Sequence, residues 1–228
     1  KKKNVEFENK ISEAIEVTNS VFITDSVLGK LRMFSINIGK NIKQKHPKTK
    51  VFCSLRTRDH EFNSILRFTS EAAINGIDGI LLIKGDKSKN ENIINNEAPS
   101  LILKKLKEKI APNNQLKFYL SIDSTNSQQN IKNKIAAKPD GFITQLVDNV
   151  KSFMYIREMV PKNIEVIACT MSGSTKNKDS ASMLGIKLHE PAQELKFMKD
   201  LKEISDGIII SSPKDYQNGL KLIKKLKE

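Results

Sequence analysis

The sequence predicts an α/β protein, and within that class a (β/α)8 TIM barrel whose first strand is missing from the sequence. Seven short, nearly continuous apolar runs recur along the 228 residues. Such runs are typical of parallel strands that are buried on both faces. Segments with helical spacing of apolar residues lie between the runs, joined by short links. This alternation predicts successive βα units in one parallel sheet.

The predicted elements follow one another without a long linker or a low-complexity tail, so we expect a single domain over residues 1–228. The predicted strands are 21–23, 51–53, 79–83, 116–120, 141–144, 166–169 and 207–210. The clearest helical patterns cover 7–17, 65–73, 101–110, 150–157 and 220–226. Because a helical pattern comes first, the strand that begins a barrel is expected to be missing. An open doubly wound sheet is the alternative, although no G-x-G-x-x-G follows the first predicted strand.

The composition favours a protein of a reducing compartment. The net charge is +13, but the lysines are spread along predicted helices without interleaved aromatic residues, so a nucleic-acid partner is not favoured. Cys53 and Cys169 fall in predicted strands, where lone thiols are typical core residues rather than a disulfide or a metal site. We expect neither a membrane-spanning segment nor a leader peptide, and therefore a cytoplasmic protein.

In a parallel barrel the active site forms at the carboxyl ends of the strands, so the residues that follow each apolar run form the candidate site. These positions carry hydroxyl, amide, cationic and carboxylate groups and lack a histidine or cysteine nucleophile. They suit an anionic, heteroaromatic ligand better than the substrate of a triad or metal hydrolase. The candidates are Thr24, Asp25, Ser54, Arg56, Arg58, Asp59, Lys84, Gly85, Asp86, Asp123, Ser124, Gln145, Asp148, Thr170, Ser172, Ser174, Ser211 and Ser212.

Structural roles compete with functional ones at several of these positions. Asp25 and Asp59 are alternatively caps of the helices that follow them. Arg56 and Arg58 are alternatively solvated surface charges, and Gly85-Asp86 is alternatively only a turn.

Four segments resemble the methylenetetrahydrofolate reductase family. Residues 76–86 (GIDGILLIKGD) are similar to the family segment that ends in a strand and Gly-Asp. Residues 53–59 (CSLRTRD) are similar to its strand-three segment with Arg-Asp, and residues 23–25 (ITD) with 29–33 (GKLRM) resemble a variant of its shorter members. Residues 134–137 (KIAA) with 141–145 (GFITQ) resemble the segment that ends in Ile-Thr-Gln. The resemblance runs from about Val21 to the C-terminus.

The resemblance implies a barrel that carries a non-covalent flavin, FAD, and reduces methylenetetrahydrofolate to methyltetrahydrofolate by hydride transfer, a step of one-carbon metabolism and methionine biosynthesis. It implies a catalytic Asp86 beside the flavin ring and the folate, and a Gln145 that contacts the folate. The implied partner is a folate-type or methanopterin-type one-carbon carrier. An electron-donor subunit and a homo-oligomer are further expectations, and no metal is expected. With Asp86, the implied cofactor site comprises Thr24, Ser54, Arg58, Lys84, Gly85 and Lys134.

Departures from the family pattern leave a second hypothesis open. The glutamate of the family's first strand has no counterpart, since Glu6 and Glu8 belong to the helix side of that boundary. Ser54 stands where many members have histidine, and the segment after residues 121–123 (SID) lacks the family's Pro and His. The flavin could therefore be the smaller FMN. Alternatively, the chain is a non-catalytic barrel of the same family that binds a pterin or a partner subunit.

Overall fold

The strands of the computed structural model coincide with the seven predicted apolar runs. The structure describes residues 2–18, 20–25, 33–85, 94–110 and 115–228, with the side chains of the first helix described from residue 6. Each strand overlaps one predicted run, and most extend past its carboxyl end. The strands are β1 (Ser20–Ile23), β2 (Lys50–Arg56), β3 (Gly79–Ile83), β4 (Lys117–Ile122), β5 (Gly141–Leu146), β6 (Glu165–Met171) and β7 (Gly207–Ser211).

A helix precedes β1, as predicted, and at least one helix lies in every connection between consecutive strands. The helices are α1 (Lys2–Val17), α2 (Ser35–Lys45), α3 (Phe62–Ile74), α4 (Pro99–Lys109), α5 (Gln128–Ile135), α6 (Val150–Met159), α7 (Lys178–Met183), α8 (Pro191–Ile204) and α9 (Tyr216–Lys227). Among the described residues, the 3-10 turn Thr57–Asp59 lies two residues before α3, and the 3-10 turn Thr175–Asn177 directly precedes α7. The sequence patterns had not identified α2, α5, α7 or α8.

The topology is that of a (β/α) barrel. The strands form one sheet whose order, β1 to β7, is the order of the chain. The pairs β1–β2, β2–β3, β3–β4 and β6–β7 are parallel. A doubly wound sheet would reverse its strand order at one point, and this sheet does not. The predicted fold class is confirmed, and the open-sheet alternative is wrong.

The chain divides into two compact units. Residues 19–121 and 132–141 form what we call the β1–β4 unit, and residues 1–18, 122–131 and 142–228 form the β5–β7 unit. Whether the two units behave as the single domain expected from the sequence stays a prediction.

The β1–β4 unit has a core in which a helix lies very close to a strand. Val51, Cys53 and Leu55 alternate along β2 and are fully buried. A Cβ on Gly39 of α2 would lie only 2.7 Å from Cys53 Sγ. Glycine at this position therefore lets α2 pack directly against β2, because any larger residue would push the helix away from the strand. Burial raises the pKa of the Cys53 thiol to about 12, as expected for a core cysteine.

The β5–β7 unit is closed by the contact between its first and last helices. The apolar side chains Leu220, Leu222 and Leu226 of α9 are buried. On α1, the carbonyl of Lys10 accepts a hydrogen bond from the hydroxyl of Tyr216 in α9. Among the described residues of both units, no helix is long and apolar enough to cross a membrane.

Three strands begin with the same Asp-Gly pair, and each aspartate is bonded to the preceding strand. Asp78, Asp140 and Asp206 lie immediately before β3, β5 and β7. Their Oδ2 atoms accept hydrogen bonds from the backbone N–H groups of Val51, Phe118 and Val166 at 2.7, 2.8 and 2.7 Å. Their own N–H groups donate to the carbonyls of the same three residues. Each aspartate therefore fixes where its strand begins relative to the strand before it.

Candidate functional site

In the β1–β4 unit, the turn that follows β2 holds two buried arginines. Arg56 ends the strand and is 1% exposed. Its Nε lies 2.7 Å from Oδ2 of Asp59, and its Nη2 donates to Oδ1 of the same carboxylate at 3.4 Å. Asp59 therefore neutralises Arg56. The alternative that the two arginines are solvated surface charges is wrong, since Arg58 is also only 5% exposed.

Arg58 differs from Arg56 because it has no counter-charge among the described residues. Its Nε is buried and has no hydrogen-bond partner there. The backbone around it is held firmly, since its carbonyl accepts N–H bonds from Ile94 and Asn95, both at 3.0 Å. The hydroxyl of the preceding Thr57 donates to the carbonyl of Ile83 at 3.2 Å. The structure thus presents a buried guanidinium on a firmly held backbone, with an Nε that is not bonded to any described residue.

Gly85, after β3, lies against the Arg56 side chain. Its φ is +87°, in the left-handed region that favours glycine. A Cβ at this position would lie 2.7 Å from Arg56 Nε and 3.1 Å from Arg56 Cγ. Glycine is therefore required twice, for its backbone conformation and to leave room for the arginine.

Ser54 is a buried strand residue that organises its neighbours. Its hydroxyl accepts the backbone N–H of Asp25 at 2.6 Å, and its carbonyl accepts the hydroxyl of Ser35 at 2.6 Å. These two bonds tie the ends of β1 and β2 to the start of α2. Thr24 and Lys84, which directly follow β1 and β3, are exposed.

The predicted helix-cap role of Asp59 is wrong, whereas that of Asp25 stays a prediction, because residues 26–32 after it lie outside the described ones. Glu61 occupies the N-cap position of α3 without a side-chain cap bond, while Asp59 pairs with Arg56. Helix α2 begins at Ser35 with Phe34 as its cap, so Asp25 does not cap it. Beside Asp59, the ring of His60 lies against Phe68 with centroids 5.0 Å apart. Desolvation lowers the pKa of His60, although the nearby carboxylates of Asp59 and Asp25 oppose this shift.

Lys134 and Gln145 lie at other strand ends. Lys134, in the last turn of α5, donates from Nζ to the carbonyl of Ser121 near the end of β4, at 2.7 Å. Gln145 lies near the end of β5 and is exposed. The predicted catalytic residue Asp86 lies outside the described residues, as do residues 29–32 of the resembling segment.

In the β5–β7 unit, the predicted hydroxyl residues bond to one another. Ser172 and Ser212, after β6 and β7, have hydroxyls 2.8 Å apart. Asn177 donates from Nδ2 to both, at 2.8 and 3.3 Å, and its Oδ1 accepts the N–H of Lys214. Ser174 donates to the carboxylate of Asp215, the residue before α9, and this bond is the main cause that lowers the pKa of Asp215. The polar groups of this network make hydrogen bonds to one another, which is typical of a structural role rather than of ligand binding.

The loop between α7 and α8 is fixed by the same unit. His189 bonds through Nε2 to the carbonyl of Asp148 at 2.8 Å and stacks on Phe197 with centroids 4.0 Å apart. Glu194 is buried and accepts the N–H of Gly173. Burial raises the pKa of this carboxyl, and the bond from Gly173 opposes the shift. In the described parts of the chain, no group of three His, Cys, Asp or Glu residues could hold a metal ion.

Sequence reasoning missed the residues that hold this network together. Asn177 is fully buried and Glu194 nearly so, yet one lies in a short 3-10 turn and the other in the first turn of a helix. Neither follows an apolar run, so the rule that strand ends carry the site could not identify them.

Two further predicted site residues, Asp123 and Ser124, follow β4. The carboxylate of Asp123 accepts the backbone N–H of Thr125 at 2.9 Å and so stabilises its own turn.

Among these groups, the turn after β2 is the arrangement best suited to an anion. The β5–β7 network is already saturated by its own bonds, whereas Arg58 offers a buried cation without a partner among the described residues. An oxyanion of a ligand can take two N–H bonds from one guanidinium. This donor set fits the phosphate that a flavin cofactor carries.

Solved structures with similar folds are enzymes of several kinds. One described as "QR15, an Aldolase" has a TM-score of 0.61 at 12% identity, and covers 97% of this chain and 88% of its own. A 2,3-dimethylmalate lyase has a TM-score of 0.59 at 11% identity, covering 88% of this chain and 69% of its own. KGPDC from Streptococcus mutans has a TM-score of 0.53 at 11% identity, covering 96% of this chain and 90% of its own. At such low identity the likeness shows the fold alone.

Sequence comparison gives the family. No curated protein matches the chain. The family model described as "Methylenetetrahydrofolate reductase" matches residues 3–179. This span includes the turn with Arg56 and Arg58, the Gly85 segment, Lys134 and Gln145, and it is well over half of the 228 residues. The chain therefore belongs to the methylenetetrahydrofolate reductase family.

Proposed function

We propose that this protein is a flavin-dependent reductase that converts the methylene form of a folate-type one-carbon carrier to the methyl form. The observation that carries this proposal is the family match over residues 3–179, which contains all the residues that the sequence resemblance assigns to cofactor and substrate. The carrier is tetrahydrofolate or a methanopterin, and the cofactor is FAD, with FMN as the alternative.

The residues of the β1–β4 unit support a flavin cofactor on chemical grounds. Arg58 and Lys84 provide positive charge for phosphate, and the exposed hydroxyl of Thr24 provides a hydrogen bond. Ser54 acts indirectly in this proposal, since its hydroxyl fixes the backbone of Asp25 next to Thr24. Gly85 keeps the end of β3 free of a side chain, and Lys134 adds a further cation.

The chemistry would be divided between the cofactor and the chain. A bound flavin would supply hydride transfer, while the protein positions the ligands and excludes water. We propose that Gln145 contacts the folate through its exposed amide. We assign Asp86 to the reacting end of the folate on the strength of the resemblance. An electron donor, which could be a separate subunit, would have to supply the reducing equivalents.

A second candidate is a member of the family that binds a pterin or a partner subunit without catalysis. The observation that favours it is the Arg56 side chain, which packs against Gly85 where the family's Gly-Asp segment ends. This arginine reduces the room beside the strand end, and Ser54 replaces a histidine found in many members.

The cofactor content of the purified protein separates the two candidates. We expect the flavin absorption bands at about one flavin per chain, either as purified or after incubation with FAD or FMN and desalting. The flavin released by heat denaturation identifies the cofactor by chromatography. A protein that retains neither flavin, yet binds tetrahydrofolate, would contradict the reductase and support the non-catalytic alternative.

A further inference from the structure

Two buried arginines lie at the end of β2, and one of them, Arg58, has no ion-pair partner among the described residues. Arg56 and Arg58 are both at least nine-tenths buried. Both oxygens of Asp59 face Arg56, at 2.7 Å from Nε and 3.4 Å from Nη2. The described residues provide Arg58 with no ion pair, and its Nε has no hydrogen-bond partner there. A further buried carboxylate, Asp25, acts on the neighbouring His60, but no ion pair joins it to Arg58 in the described part of the chain.

A buried guanidinium cannot become neutral by losing its proton, because arginine stays charged in proteins. A buried charge without a partner costs a large free energy, since it has lost its hydration. The main chain at Arg58 is held in place, because Ile94 and Asn95 bond to its carbonyl and the Thr57 hydroxyl bonds to the end of β3, and the side chain itself is only 5% exposed. A site of this kind is stabilised when an external anion supplies the missing charge.

We propose that Arg58 is the anchor of an oxyanion-binding site that receives the phosphate or carboxylate group of the protein's ligand. The guanidinium can bind either group through two parallel N–H bonds. The proposal rests on the proposed function for the identity of the ligand, since a flavin nucleotide carries phosphate and a folate carries carboxylates. Anion binding itself can be tested without either molecule.

The first experiment measures thermal unfolding in pyrophosphate and in glutarate, with sodium chloride added to keep the ionic strength constant. The variants are R58M, which replaces the cation by an apolar side chain of similar length, and R67M as the control. Arg67 is an exposed arginine of α3 in the same unit, with a side chain 70% exposed. Without anion, we expect R58M to be at least as stable as the wild type, because it removes a buried charge that has no ion-pair partner among the described residues.

With anion, we expect the melting temperatures of the wild type and R67M to rise and then saturate, whereas that of R58M does not change. Equal shifts in R58M and the wild type would overturn the proposal, because the anion would then bind elsewhere. A strong loss of stability in R58M without anion would also overturn it, because the guanidinium would then be satisfied inside the protein.

A second experiment identifies which ligand group the site takes. It compares the affinity of FMN with that of riboflavin, and the affinity of tetrahydrofolate with that of a tetrahydropterin without the glutamate. We expect one of these pairs to differ by about tenfold or more in the wild type, and the difference to vanish in R58M. A phosphate site affects the flavin pair, and a carboxylate site affects the folate pair. If the difference seen in the wild type persists in R58M, the proposal is wrong. If neither flavin binds but the anion shifts remain, only the flavin-dependent function fails.

Discussion

At the scale of single residues, the candidate site depends on how tightly Arg56, Asp59 and Gly85 are packed. Arg56 is buried between its carboxylate partner and the space that a Cβ on Gly85 would fill. A side chain at Gly85 would force Arg56 to move and would weaken a buried ion pair. Gly185 has a similar backbone conformation, with a φ of +66°, but nothing lies within 4 Å of the place where its Cβ would be.

These two glycines give a matched test of the packing. We expect G185A to lower the free energy of unfolding by about 1–2 kcal/mol, the cost of a left-handed conformation for a residue with a Cβ. G85A should lower it further, because the displaced Arg56 loses its alignment with Asp59. Urea denaturation of both variants measures the difference. Equal losses of stability would show that Arg56 is free to move away from Gly85.

The sequence predicted where these residues lie but not what they contact. Arg56, Arg58 and Gly85 were identified because they follow apolar runs, and that rule needs only the strand positions. The pairing of Arg56 with Asp59 depends on side-chain geometry in the turn Thr57–Asp59, which has no hydrophobic pattern. Burial of both arginines was likewise not predictable, because arginine is usually exposed.

At the scale of elements, three strands of the sheet are positioned by the aspartates that precede them. Asp78, Asp140 and Asp206 each accept the N–H of a residue in the preceding strand. A bond from a backbone N–H to a carboxylate is stronger than one to a neutral acceptor. The aspartates lie at the amino ends of these strands, whereas the candidate site residues lie at the carboxyl ends. By fixing the strands, the aspartates therefore help to hold the site residues in place.

Removing one of these carboxylates should destabilise the protein. We expect D140A to lower the free energy of unfolding by about 1.5–3 kcal/mol, because the N–H of Phe118 loses its charged acceptor. The control is E108A, which removes the same charge from an exposed position on α4 and should have little effect. Urea denaturation of the two variants decides the point. A loss in D140A no larger than that in E108A would mean that the carboxylate does not hold the strand.

The elements were predictable wherever hydrophobic residues form a clear pattern. The strands are buried apolar runs, and α9 alternates buried leucines with exposed lysines. Helix α5 was missed because it has two apolar residues, Ile131 and Ile135, of which Ile131 is buried, and its other residues are polar. Helix α8 was missed in part because the acidic Glu194 lies among its buried residues, where a pattern of apolar residues does not register it.

At the scale of the whole molecule, the basic residues behind the net charge of +13 lie in two kinds of environment. Lysines such as Lys104 and Lys107 on α4, and Lys224 and Lys225 on α9, are exposed on helices. Arg56 and Arg58 are buried at a strand end. Only the second group has the geometry of a ligand site. The family could be predicted from short motifs, and the cofactor FAD was predicted only through that resemblance, because the residues that would hold it lie far apart in sequence.

The central claim, that the chain reduces a one-carbon carrier through a flavin, is tested most directly by the second half of the reaction. The protein is loaded with FAD, reduced chemically without oxygen and mixed with methylenetetrahydrofolate, and the flavin absorbance is followed with time. We expect the flavin to be reoxidised while an equal amount of methyltetrahydrofolate forms. Substitution of Asp86, which lies outside the described residues, by asparagine should slow this step more than flavin reduction. A bound, reduced flavin that stays reduced with methylenetetrahydrofolate and with the corresponding methanopterin would contradict the claim.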